Sequence, residues 1–100
     1  MSRKITSESI SAFLAKNPFR KSNMCVEYHA PFWKLKLHNN TIATIDDMGI
    51  LSISNAGWVS NTTKERLNGL PGVSIRQKNW SWFLNGEEWD GNWKRIGVVC

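Results

Sequence analysis

The stretch FWKLKLHNNTIATIDDMGILSIS, residues 32–54, decides the fold class. Trp33, Leu35 and Leu37 alternate with Lys34, Lys36 and His38, the pattern of a strand with one buried and one wet face. Asn39-Asn40 is a hairpin turn by composition, because asparagine tolerates positive φ. Thr41 to Asp46 returns, and its register is open. A two-residue loop sets Ile42 beside Leu37, whereas a three-residue loop faces Ala43 and Ile45 inward. Asp46-Asp47-Met48-Gly49 makes the next turn, and Ile50 to Ser54 the next strand, with Leu51 and Ile53 on one face. Met24 to His29, ahead of the interruption at Pro31, reads as a further strand, so residues 24–54 form an antiparallel meander.

Outward toward the start, Thr6 or Ser7 can cap a helix whose first turn holds Glu8, an acid suited to the dipole. Ile10, Phe13 and Leu14 follow at helical spacing, and Asn17-Pro18 ends the run. The expectation is a short amphipathic helix over residues 7–16.

Outward toward the end, Asn55-Ala56-Gly57 breaks the meander and leads to Trp58, read as an anchor. A short helix over residues 62–69 opens at Thr62, with Glu65 three residues later at capping-box spacing. Gly69, Pro71 or Gly72 closes it. Val73 to Lys78 and Trp80 to Leu84 then pair, with Trp80, Trp82 and Leu84 on one face. Asn85-Gly86 is the strongest hairpin signal in the chain. Asp90-Gly91 turns again before Trp93 and an extended stretch from Ile96 to Val99, so residues 73–99 read as hairpins. The class is α+β: an N-terminal short helix, an antiparallel meander, a short central helix and C-terminal β-hairpins.

One hundred residues suit a single domain over 1–100, and 41% apolar with 21% charged side chains is globular composition. The six tryptophans are unusual; a core this small hides most of them and leaves one or two partly exposed. Cys25 and Cys100 have no zinc spacing. They could form one bridge, but two free thiols are the simpler reading. The opening Met-Ser-Arg-Lys-Ile carries no apolar run of secretory length, and nothing approaches a membrane span. A cytoplasmic, reduced setting is therefore expected. Seven basic side chains face Glu8 and Glu27 in residues 1–40, whereas residues 41–100 are neutral. All of the +5 charge sits in the first two-fifths, which favours an anionic partner: nucleic acid or a host protein with an acidic surface.

Catalysis is not expected. His29 and His38 fit no metal or protease spacing, and no phosphate-loop pattern occurs. Cys25 and His29 share a strand face about 13 Å apart, too far for proton transfer. Glu87, Glu88 and Asp90 read as a solvated hairpin tip. No cofactor and no metal is implied.

Three surfaces remain for binding. Lys16, Arg20, Lys21, Lys34 and Lys36 form a basic set able to meet phosphates, or a solvated face. Arg76 and Lys78 interleave with Trp80, as in sheets that stack single strands, unless Trp80 and Trp82 are core. Thr62 and Thr63 at a helix start, with Lys64 and Arg66, could hold an anion. Alternatively Thr62 caps, Glu65 offsets Lys64 and nothing binds.

Taken together, LHNNTIA, ISNAGWVSNTTKERLNGLPGVSI and WFLNGEEWDG resemble a family of small uncharacterised proteins of phages, prophages and plasmids. The likeness runs from about Val26 to Trp93 and is most specific over Thr62-Thr63-Lys64-Glu65-Arg66-Leu67-Asn68, within a Gly-Trp-x3-Thr-Thr-Lys-x-Arg-Leu-Asn block. It implies a phage-type accessory protein in the host cytoplasm and no catalytic residues. Nucleic-acid binding is the favoured expectation. A protein-binding inhibitor of a host enzyme or defence system, anti-CRISPR-like, is the alternative, and a homodimer is compatible with either.

Overall fold

Helix α1 (Lys4–Leu14) starts three residues earlier than its sequence pattern suggests and buries Thr6, Ser9, Ile10 and Phe13. Two hydroxyl residues thus replace Leu14, which is 37% exposed, on the packed face. Ser9 can be buried because its hydroxyl donates to the Thr6 carbonyl at 3.1 Å. The helix ends in a Schellman motif, with Asn17 N–H donating to the Ala12 carbonyl and Lys16 N–H to the Phe13 carbonyl. Lys16 takes the left-handed position (φ 58°) usually given to glycine. The computed structural model describes residues 4–99, so Cys100 lies outside the described residues.

The main sheet has six strands in the order β1-β2-β3-β4-β5-β9, all antiparallel. They are β1 (Phe19–Lys21), β2 (Met24–His29), β3 (Phe32–Leu37), β4 (Asn40–Ile45), β5 (Ile50–Ile53) and β9 (Lys94–Val98). The meander matches the alternation, and β1 is an addition that three residues could not announce. The β3–β4 turn is His38-Asn39, one residue earlier than Asn39-Asn40, with φ of 51° and 66°. A bulge between Leu35 and Lys36 then settles the register. Beyond it Leu35 pairs with Ala43 and Trp33 with Ile45, and Ile42, Ala43 and Ile45 are all buried.

A smaller sheet joins β6 (Ile75–Lys78), β7 (Ser81–Leu84) and β8 (Glu87–Trp89). Asn85-Gly86 makes its second turn as expected, with φ of 52° and 89°. The first turn is Asn79-Trp80, with φ of 51° and 72°, so Trp80 does not share the inner face with Trp82 and Leu84. It stands 92% exposed while Trp82 and Leu84 are buried. Trp58 is no anchor either, at 58% exposed. Nor do residues 73–99 stay within hairpins of one sheet, because β9 leaves β8 and pairs with β5 of the main sheet.

The crossing back is made by Gly91. Its carbonyl accepts from Asn55 N–H and from the Ser54 hydroxyl, both at 3.0 Å. Its φ is +88°, and an added Cβ would lie 2.1 Å from the Asn55 amide nitrogen, so a side chain is excluded on both counts.

Helix α2 (Asn61–Asn68) starts one residue before the expected 62–69. Its cap is Ser60 and not Thr62: the Ser60 hydroxyl accepts from Thr63 N–H at 3.2 Å and meets the Thr63 hydroxyl at 3.0 Å. Asn68 holds β6 with both ends of its amide, donating to the Ile75 carbonyl and accepting from Ile75 N–H. Helix α1 packs on β1 to β3 and α2 on β4 and β6. Ile75, Trp82, Leu84 and Trp89 of the small sheet join the same hydrophobic cluster as the meander.

Arg66 lies inside this packing, 2% exposed. Its Nη1 donates to the Thr6 hydroxyl at 2.9 Å and to the Glu65 carboxylate, and Nη2 reaches Asn23 Oδ1 at 3.4 Å. The Thr6 hydroxyl donates in turn to Glu65 Oε1 at 2.8 Å. Arg66→Ala is expected to cost about 3–5 kcal/mol in denaturant unfolding, since it strips a buried network of its cation, and Arg66→Met distinctly less. Trp80→Gly, which suits the left-handed turn, is expected to raise stability by about 1 kcal/mol in the same measurement.

Candidate functional site

One face of the main sheet carries the core; the other has no helix over it among the described residues. The alternation that buries Leu35, Leu37, Ala43, Ile45, Leu51 and Ile53 puts Phe32, Lys34, Lys36, Thr44 and Ser52 on the open side. Register aligns Glu27, Lys34, Thr44, Ser52 and Arg95 in one row across five strands. Arg20 pairs with Cys25, and Cys25 with Lys36, in the adjoining row.

Into this face opens a depression of about 460 Å³ lined by Phe32, Lys34, Thr41, Thr44, Ser52 and Trp93. Trp93 arrives there through the Asp90–Asn92 turn. Asp90 Oδ1 accepts from Asn92 N–H at 3.0 Å, and the buried Trp89 donates its indole N–H to the Asn92 carbonyl at 2.9 Å. With Trp89 fixed inward, Trp93 is left 53% exposed; Phe32 is 38% exposed.

Glu27 organises the charge on β2. Its carboxylate accepts from Lys36 at 3.0 Å, from His29 at 3.1 Å and from the Cys25 thiol at 3.4 Å. The Lys36 ammonium first, then His29 and Cys25, lower the Glu27 pKa to about 2. Burial, reinforced by Glu27, pushes the Cys25 thiol up, which keeps it protonated and a poor nucleophile. Glu27 thus stands between Cys25 and His29, the pair that spacing alone separates. Lys36 is engaged by Glu27, whereas Lys34 and Arg20 have no ion pair among the described residues.

The other expected site residues are dispersed. Lys21 turns to the helical side and pairs with Glu8 at 2.9 Å, which lowers the Glu8 pKa. Arg76 and Lys78 sit beside Trp80 in the small sheet, and Lys34 is in the main sheet. Lys64 reaches the Gln77 side chain at 3.0 Å. Thr63 is fully buried and its N–H is taken by Ser60; Thr62 is half-buried. Arg66 is withdrawn from the surface altogether, because Thr6, Glu65 and Asn23 hold it inside. Sequence reading missed Phe32, Trp93, Thr44 and Ser52. Phe32 shares parity with Lys34 and Lys36, so the alternation could have found it; Trp93 depends on a turn that only the fold defines.

Among the described residues no three His, Cys, Asp or Glu side chains gather as a metal site, and no helix is long and apolar enough to cross a membrane. The lowered Glu27 pKa has a pH consequence. A carboxylate whose folded pKa lies below its ordinary 4.5 adds stability above that pH and loses it as pH falls toward about 2. Acid unfolding in that window should therefore be shallower in Glu27→Gln than in the parent chain.

No curated protein matches the chain, and no solved structure does. A family model described as Kyanoviridae Gp96 protein matches residues 2–96. A match over nearly the whole chain fixes the family, in line with the resemblance to small phage proteins; it does not confirm the Thr-Thr-Lys block as that family's motif. The chain belongs to the Kyanoviridae Gp96 protein family, a family of small phage-encoded proteins.

Proposed function

We propose that this protein acts by binding and not by catalysis, holding single-stranded nucleic acid against the open face of its six-stranded sheet. The observation that supports this is the depression that sets Lys34 and the Thr44 and Ser52 hydroxyls between two exposed rings, Phe32 and Trp93. Unpaired bases stack on exposed rings, a neighbouring cation meets the phosphate, and hydroxyls suit sugar or base edges. Arg20 extends the cationic track along the same face. A duplex keeps its bases stacked inside and offers the two rings nothing, so preference for single strands is part of the reading.

The test is titration of a fluorescent single-stranded oligonucleotide, DNA and RNA separately. Two phosphate contacts, at Lys34 and Arg20, correspond to a salt slope near −1.4, so affinity should fall about sevenfold from 50 to 200 mM salt. Phe32→Ala and Trp93→Ala should each weaken binding about tenfold, and a duplex should bind more weakly. The reading fails if no oligonucleotide binds at low salt, or if these variants bind like the parent.

A further inference from the structure

The small sheet holds a second recess, about 260 Å³, that the nucleic-acid reading does not use. Val59, Trp80, Trp82, Glu88, Trp89 and Asp90 line it. Its wall is aromatic and its charge is negative, in a chain whose net charge is +5. We infer that this recess receives an arginine side chain of a basic segment in a partner protein.

Three observations carry the inference. Trp80 is 92% exposed at a turn position that favours glycine, so no packing accounts for its ring being there. Val59, beside it in the recess, is 64% exposed, and Trp58, next in the chain, is 58% exposed. Glu88 and Asp90 have no ion pair among the described residues, and the Asp90 carboxylate accepts from Asn92 N–H and Nδ2–H. Arg76 is the cation of the small sheet in line with Glu88, but Phe83 stands between them in register.

A guanidinium satisfies this wall better than an ammonium does. It stacks flat on an indole while its N–H groups fork to a carboxylate, and it sheds water more readily. A second copy of this chain is a poorer occupant. Among the described residues its surface arginines, Arg20, Arg76 and Arg95, lie on strands and not on a projecting loop. Charge divides the two surfaces: the basic, aromatic face fits a polyanion, and the acidic, aromatic recess fits a cation.

The experiment titrates the full chain with a blocked arginine-rich octapeptide and with the same peptide carrying neutral citrulline, following the tryptophan indole N–H signals by NMR. Arginine peptide should bind at least about tenfold tighter than citrulline peptide and shift the Trp80 and Trp89 signals. Trp80→Gly and Glu88→Gln should each lose about tenfold, while Trp93→Ala and Lys34→Glu bind peptide like the parent. Oligonucleotide binding, measured separately, should ignore Trp80→Gly, so the two surfaces succeed or fail independently. The inference is overturned if citrulline peptide binds equally, or if Trp80→Gly and Glu88→Gln leave arginine binding intact. It is also overturned if sedimentation shows that Trp80 drives self-association and the peptide does not bind.

Discussion

A single buried guanidinium ties this fold together. Arg66 on α2 is shared by Thr6 of α1, its own neighbour Glu65, and Asn23 in the β1–β2 turn, so one cation joins two helices and an edge of the sheet. A charge removed from water costs several kcal/mol unless its hydrogen-bonding capacity is met, and here two of the three nitrogens are met. The arrangement demands close helix approach. At Gly69 an added Cβ would lie 2.4 Å from Ile10 Cδ1 and 2.9 Å from Thr6 Cγ2, so glycine permits the contact that Arg66 then locks. With both helices drawn to one side of the main sheet, the opposite side is left without cover.

That asymmetry is what gives the protein two distinct surfaces. The uncovered sheet face gathers Arg20, Lys34 and Lys36 with Glu27 as their internal counter-charge, and Trp93 is delivered to it from the far end of the chain. The small sheet carries Glu87, Glu88 and Asp90 within four residues, next to the most exposed tryptophan. Sign of charge therefore varies with place on the surface, which net charge alone conceals.

Sequence made the repeating parts legible and left the joints obscure. Alternation from Trp33 to Ile53 yields the meander and its inner face, because one-side burial enforces a period of two. Asn85-Gly86 and Asp46–Gly49 identify their turns through residues that tolerate positive φ. The start of α2 is ambiguous in the sequence because Ser60 and Thr62 are both competent caps, and only packing decides between them. Arg66 looks like an ordinary charge on a polar helix, since its partner Thr6 lies 60 residues away. Trp58 and Trp80 defeat the rule that large rings go inward, and Phe32 is marked as outward only by its parity with Lys34. A small phage-encoded family and the α+β class are within reach of the residues; the uncovered face is not, because it depends on where both helices settle.

The pairing of β9 with β5 has a consequence for the order of assembly. Strands β1 to β5 form through turns of a few residues, so their closure is local and fast. Joining Lys94 to Ile53 closes a loop of about forty residues, which must wait for α2 and the small sheet to be in place. Trp93 precedes β9 by one residue, so the depression it shares with Phe32 exists only once that last strand docks. During synthesis the meander stands ready while its aromatic partner is still to be made. A chain released short of β9 would keep most of the hydrophobic pattern and lack the surface proposed to do the work.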